Sequence, residues 1–212
     1  MLKKLLILLF INTSIFGQID IDNNVSIKFP NQIKKSDTIV TNIKVTSFEY
    51  KNELDFYLLS RVSVVNNKNN EKNVLPKNLN ELTKIYKSNI ESLVKRMEKK
   101  TFILSETIEI NIENFVAYKL IFKNSITDLK NAESIILNLN GINYIVVYSE
   151  IHEFDEKRKT DFLNSFKIKN PESQKQLKTP KNYIYDFLKI ILRIGIIAGI
   201  FYLLMKVRKN YR

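Results

Sequence analysis

LNELTKIYKSNIESLVKRMEKK, residues 79–100, decides the fold. Leu79, Leu82, Ile85, Tyr86, Ile90, Leu93, Val94 and Met97 recur at three- and four-residue spacing, so 3.6 residues per turn gathers them into one stripe. Lys84, Lys87, Glu91, Lys95 and Glu98 fall on the other side, the composition of a solvated face. The spacing predicts an amphipathic helix from about Leu79 to Lys99. Such a helix must lay its stripe on something apolar, and the flanking segments say what.

Before the helix the period drops to two. Val25, Ile27 and Phe29 alternate with Ser26 and Lys28 until Pro30 ends the run. Thr38 to Tyr50 is rich in Val, Ile, Thr and aromatics, with a slip near Thr41 that reads as a bulge. Leu54 to Val65 puts Leu54, Phe56, Leu58, Val62 and Val64 on one face, and the short connection 51–53 makes these two runs a hairpin. Residues 66–78 lack periodicity and read as a surface loop. After the helix come Thr101 to Ile110 and Phe115 to Lys123, the latter with Val116, Tyr118, Leu120 and Phe122 on one face. Ala132 to Leu139 and Ile142 to Glu150 flank Asn140-Gly141, a dipeptide suited to the positive backbone angles of a tight hairpin. A second helix, Phe154 to Phe166, presents Phe154, Phe162, Leu163 and Phe166, and is entered at Asp155 with Glu156 near its positive end. The expectation is an α+β fold: a mostly antiparallel sheet of about seven strands sandwiched by two amphipathic helices.

The two ends of the chain read as membrane signals. Lys3 and Lys4 precede a short apolar run beginning at Leu5, the pattern of a secretory signal peptide over 1–17, with Gln18 as the new terminus. An uncleaved N-terminal anchor is the alternative. Residues 183–205 read as a transmembrane helix that admits Lys189 and Arg193 near one end, where long cationic side chains reach the interface, and Tyr183 and Tyr185 fit an interfacial belt. An amphipathic helix lying in the interface is the competing reading. Lys206, Arg208, Lys209 and Arg212 form an acid-free tail, 206–212, that resists translocation and stays cytoplasmic. The layout is therefore an exported domain at 18–168, a linker at 169–182, one span and a basic tail. For a bacterial chain this is a single-pass inner-membrane protein with its domain in the periplasm or outside the cell.

The formal net charge of +12 over 212 residues would by itself suggest nucleic acid. Most of that excess sits in the signal, the stalk, the span and the tail, so the exported region is nearly neutral and the charge belongs to topology. With Cys 0, the fold rests on its apolar core, and thiolate chemistry is excluded. The four glycines, at 17, 141, 195 and 199, build no phosphate-cradling loop.

His152, in SEIHEFDE, has Glu150, Glu153, Asp155 and Glu156 beside it, which suits a metal site or an acid/base pair. The same residues also suit a polar strand-to-helix junction with capping acids, the favoured reading, since one histidine builds no typical zinc centre. No catalytic residue, metal or cofactor is expected. Gly195 and Gly199 have the small-residue spacing that lets membrane helices approach closely, an expectation of lateral self-association.

VSIKFP at 25–30, the long central helix, the late strand meander and the closing helix ending in NSFKI at 164–168 resemble the family of the photosystem II extrinsic protein PsbP and the Ran-binding protein Mog1. The resemblance spans about residues 22–168. It implies a module that docks on other proteins, and it carries over no functional residue. The functional expectation is a membrane-anchored, extracytoplasmic, non-catalytic binding or assembly module with a protein partner. The alternative is an envelope hydrolase or ligand sensor with a dispersed site near His152.

Overall fold

A computed structural model describes residues 17–66, 68, 70–72, 74–150 and 154–179 of the chain. Signal residues 1–16, His152, the span with Gly195 and Gly199, and the tail with Lys206, Arg208, Lys209 and Arg212 lie outside them. Among the described residues no helix is long and apolar enough to cross a membrane.

The described elements, in chain order, are β1 (Ile19–Asp20), β2 (Val25–Ile27), β3 (Lys34–Val40), β4 (Ile43–Lys51), β5 (Asp55–Val65), β6 (Glu71–Lys72), α1 (Leu79–Glu98), β7 (Phe102–Ile112), β8 (Phe115–Asn124), β9 (Lys130–Leu139), β10 (Ile142–Glu150), α2 (Glu156–Leu163) and β11 (Lys167–Ile168). The main sheet is antiparallel in the order β3-β4-β5-β10-β9-β8-β7, with β6 paired to β5. A small sheet, β1-β2-β11, lies apart. The α+β class and the antiparallel sheet with two helices are as the sequence indicates.

Two strand assignments differ from the sequence reading. The slip near Thr41 is a hairpin turn rather than a bulge: Thr41 has φ 58, and β3 and β4 pair from Val40↔Ile43 outward. A two-residue turn reverses the chain, so the alternation restarts on the other side of it. Val25–Ile27 belongs to the small sheet and not the main one, held between Ile19–Asp20 and Lys167–Ile168. Its partners are two residues long and far apart in sequence, so no local period announces them.

Other local expectations hold. Asn140 at φ 52 and Gly141 at φ 75 form the turn between β9 and β10. Gly141 is also pressed on by backbone: a Cβ there would lie 2.7 Å from Val74 N. Asn78 caps α1, its side chain accepting from the Glu81 amide, and Asp155 caps α2 by accepting from the Arg158 amide.

The sheet's two faces are covered unequally. On one, β2, α2 and the segment up to Ile168 bury Tyr57, Leu59, Leu137, Tyr144, Val146 and Tyr148 beneath Phe29, Phe162 and Phe166. On the other, α1 sets Leu82, Tyr86, Leu93 and Met97 on Leu120, Phe122, Ala132 and Ile136 of β8 and β9. One helix about 10–12 Å across spans two or three strands at 4.7–4.9 Å spacing, so α1 leaves β4 and β5 uncovered on that side.

Residues 169–178, read from sequence as linker, are instead a strap on the domain, which ends as a compact unit at Lys178. Asn140 N–H donates to Lys175 O at 2.7 Å, and Lys178 N–H donates to Pro76 O at 2.8 Å. The β8–β9 ladder stops at Ala117↔Leu137, and beyond it Gln176 enters the gap. Its Oε1 accepts from Val116 N at 3.0 Å while Nε2 donates toward Val116 O at 2.7 Å and Asn138 O at 2.9 Å. Tyr86 Oη donates to Val116 O and accepts from Asn138 N at 3.0 Å. A side-chain amide and a phenol thus replace the missing ladder bonds. Burial in that gap pushes the Tyr86 hydroxyl up to about 12.

Candidate functional site

The uncovered half of the sheet and the flank of α1 enclose a groove of about 590 Å³. Its floor is Phe56, Leu58, Ser60 and Val62 of β5 with Val45 of β4 and Ile145 and Val147 of β10. These share a face because each pairs with another of the set: Val45↔Val62, Leu58↔Val147, Ser60↔Ile145 and Phe56↔Ser149. Leu93 and Met97 of α1 form the wall, with Ser88, Asn89 and Ser92 above them. The Asn89 Nδ2 is buried without a hydrogen-bond partner.

Charge is confined to one end of this groove. Arg96, Lys99 and Lys100 line it where α1 finishes, beside Phe56, Phe102 and Ser149. All three are exposed, and Lys100 Nζ stands 5.5 Å from the centroid of the Phe56 ring. The lining contains no carboxylate and no histidine among the described residues. It can hold an apolar body and a negative end.

The titratable side chains gather on the opposite face, close in sequence to His152. Asp55 and Glu150, both buried, sit across the β5–β10 pair with Tyr148 Oη 2.8 Å from Asp55 and 2.9 Å from Glu150. The phenol has one proton to give two carboxyls, and burial beside them drives its pKa far above the ordinary 10. Arg158 of α2 closes the arrangement, donating to Asp55 at 2.7 Å, to Glu150 at 3.2 Å and to Asp155 at 2.8 Å. Buried Glu133 meets Lys130 and Lys159 in the same way. Every buried acid here is answered by a cation on α2 or β9, which makes the cluster a clamp for α2. Among the described residues no group of acids or histidines is disposed to hold a metal.

His152 lies outside the described residues, so its own partners are not part of this picture. Asp155 and Glu156, read as capping acids, do serve α2: Asp155 caps it, and Glu156 pairs with Lys130 and Lys159. The sequence reading put Phe56, Leu58 and Val62 on one face, but Arg96, Lys99 and Lys100 escaped it. Their signal was the run KRMEKK at 95–100, where cations crowd the last turn of an otherwise mixed helix.

No family model, curated protein or solved structure matches this chain.

Proposed function

We propose that the chain is a membrane-anchored, extracytoplasmic binding module that performs no chemistry, and that the groove between α1 and β5 is its binding face. The observation that carries this is the groove itself: several hundred Å³ of largely apolar space, the scale of ligand sites, with no carboxylate or histidine in its lining among the described residues. Anchoring is inferred from the apolar segment 183–205 and the basic residues Lys206, Arg208, Lys209 and Arg212, and export from the signal-like residues 1–17. Gly195 and Gly199 support lateral pairing of spans. The order of strands and helices around the long helix supports a PsbP/Mog1-like ancestry and, with it, a protein partner in the envelope. The second reading, a hydrolase or sensor near His152, draws on the buried pair Asp55 and Glu150, the latter two residues before His152 in sequence.

The test is a benzophenone amino acid at Leu58, at the groove floor, in the full chain in intact cells. The expected result is a discrete photo-adduct, protein or lipid, that is absent when the same group replaces Lys87 on the exposed side of α1. Equal background at both positions would defeat the binding reading. His152→Ala is expected to leave any cellular phenotype intact, and its loss would favour the catalytic alternative. Deleting 183–212 is expected to release the domain from membranes.

A further inference from the structure

We infer that the groove binds a single-chain amphiphile with an anionic head, its acyl chain along β5 and its head at Arg96, Lys99 and Lys100. This rests on the reading of the groove as the binding face and names what occupies it. Two features converge on that class. The floor and wall are mostly aliphatic or aromatic over the length of β5 from Phe56 to Val62, interrupted by the hydroxyls of Ser60, Ser88, Ser92 and Ser149 and the amide of Asn89. An acyl chain brings no polar group into such a space. A peptide segment would bring an N–H and a C=O with every residue, and this lining would leave most of them without partners.

The cations supply the second feature. Arg61, Lys130, Arg158 and Lys159, on the other face, are all in ion pairs. No ion pair of Arg96, Lys99 or Lys100 occurs among the described residues, although all three crowd the groove's end. They outweigh the partial negative charge of the α1 terminus and leave a positive field where the apolar trough opens.

The experiment uses the full chain in its native membrane. Palmitic acid carrying a mid-chain diazirine is supplied, the membranes are irradiated, and the digested protein is mapped by mass spectrometry. Adducts are expected on peptides covering 55–65 and 88–102. The triple charge reversal Arg96→Glu, Lys99→Glu and Lys100→Glu, at exposed positions, should reduce them about tenfold, taking about half a kilocalorie per lost pair. A diazirine fatty alcohol, with no charge, should respond less than about twofold. Ser92→Trp, which fills the groove from the exposed side of α1, should abolish both adducts without lowering the melting temperature. Competition by palmitate but not by a lysophospholipid assigns a carboxylate head, and the reverse assigns a phosphate.

Adducts confined to 183–205, or groove adducts indifferent to both sets of substitutions, overturn the proposal. A protein adduct at Leu58 with no acyl adduct overturns this ligand class while the binding-module reading stands. Absence of any adduct in both experiments overturns both readings.

Discussion

Replacing Gln176 by Ala tests whether the strap is part of the fold. The side chain supplies an acceptor to Val116 N and donors to Val116 O and Asn138 O, in a gap where β8 and β9 no longer pair. Val116 O keeps Tyr86 as a donor, so truncation orphans two backbone groups, the Val116 N–H and the Asn138 C=O. Each orphaned buried group costs about 1–3 kcal/mol. Half-exposure of Gln176 lets water reach the vacated space, which places the total near the low end, about 2–3 kcal/mol. For a domain of this size that is a fall in melting temperature of roughly 5–10 °C. Urea unfolding of the full chain in micelles measures the first quantity. Hydrogen exchange locates it, with the Val116 amide expected to exchange at least about tenfold faster. Gln176→Glu adds a pH signature. A carboxylate facing two carbonyls is disfavoured, so its folded pKa rises; its stability is present below the unfolded value of about 4.3 and is lost as pH climbs through the raised one. A Gln176→Ala protein within about 0.5 kcal/mol of wild type, with Val116 protection unchanged, would refute the account of the gap.

Two further perturbations probe the opposite face. Arg158→Met leaves buried Asp55 and Glu150 without their shared cation and should cost about 2–4 kcal/mol, below the value for a fully buried pair because Arg158 is itself 38% exposed. Adding Asp55→Asn should recover part of the deficit; a double variant no more stable than Arg158→Met in calorimetry would argue against a charge origin. Glu71 receives two hydrogen bonds from Arg61, which also reaches Asp22 at 2.7 Å, and these hold the Glu71 carboxyl below its ordinary 4.5. A lowered carboxyl stabilises above its unfolded pKa and loses that contribution as pH falls through the folded one. Glu71→Gln should therefore cost about 1 kcal/mol at pH 7 and flatten the acid limb of the stability curve below about pH 5, and an unaltered limb in acid-titration melts would contradict this.

The parts of this fold written in local periods were legible, and the parts written in distant pairings were not. α1 announces itself because its stripe is contiguous in sequence, and the Asn140-Gly141 turn because its dihedral demand is met by those two residues alone. Thr41 misled because a threonine at positive φ is unusual, so a turn there reads as a slipped strand. The small sheet joins Ser26 to Asp20 and Lys167, and Gln176 completes a ladder some 60 residues earlier in the chain. Nothing within a short window of sequence distinguishes such residues from loop.

The groove is a more instructive case, because its ingredients were visible and its existence was not. Period two places Phe56, Leu58 and Val62 on one face, but the same pattern would arise if a helix lay directly over them. What exposes them is an offset: the stripe of α1 sits on β8 and β9, at the far side of β10. That offset follows from the chain order, since the strands α1 covers, β7, β8 and β9, all follow it in the chain, while β5 meets them only through β10. The helix packs against its sequence neighbours, and the strands before it are left with an apolar face that no element among the described residues covers. A sheet of seven long strands with one helix on a side cannot avoid such a trough. The cations at its end distinguish this one from a packing defect, because a defect has no reason to collect Arg96, Lys99 and Lys100 while the opposite face pairs its own.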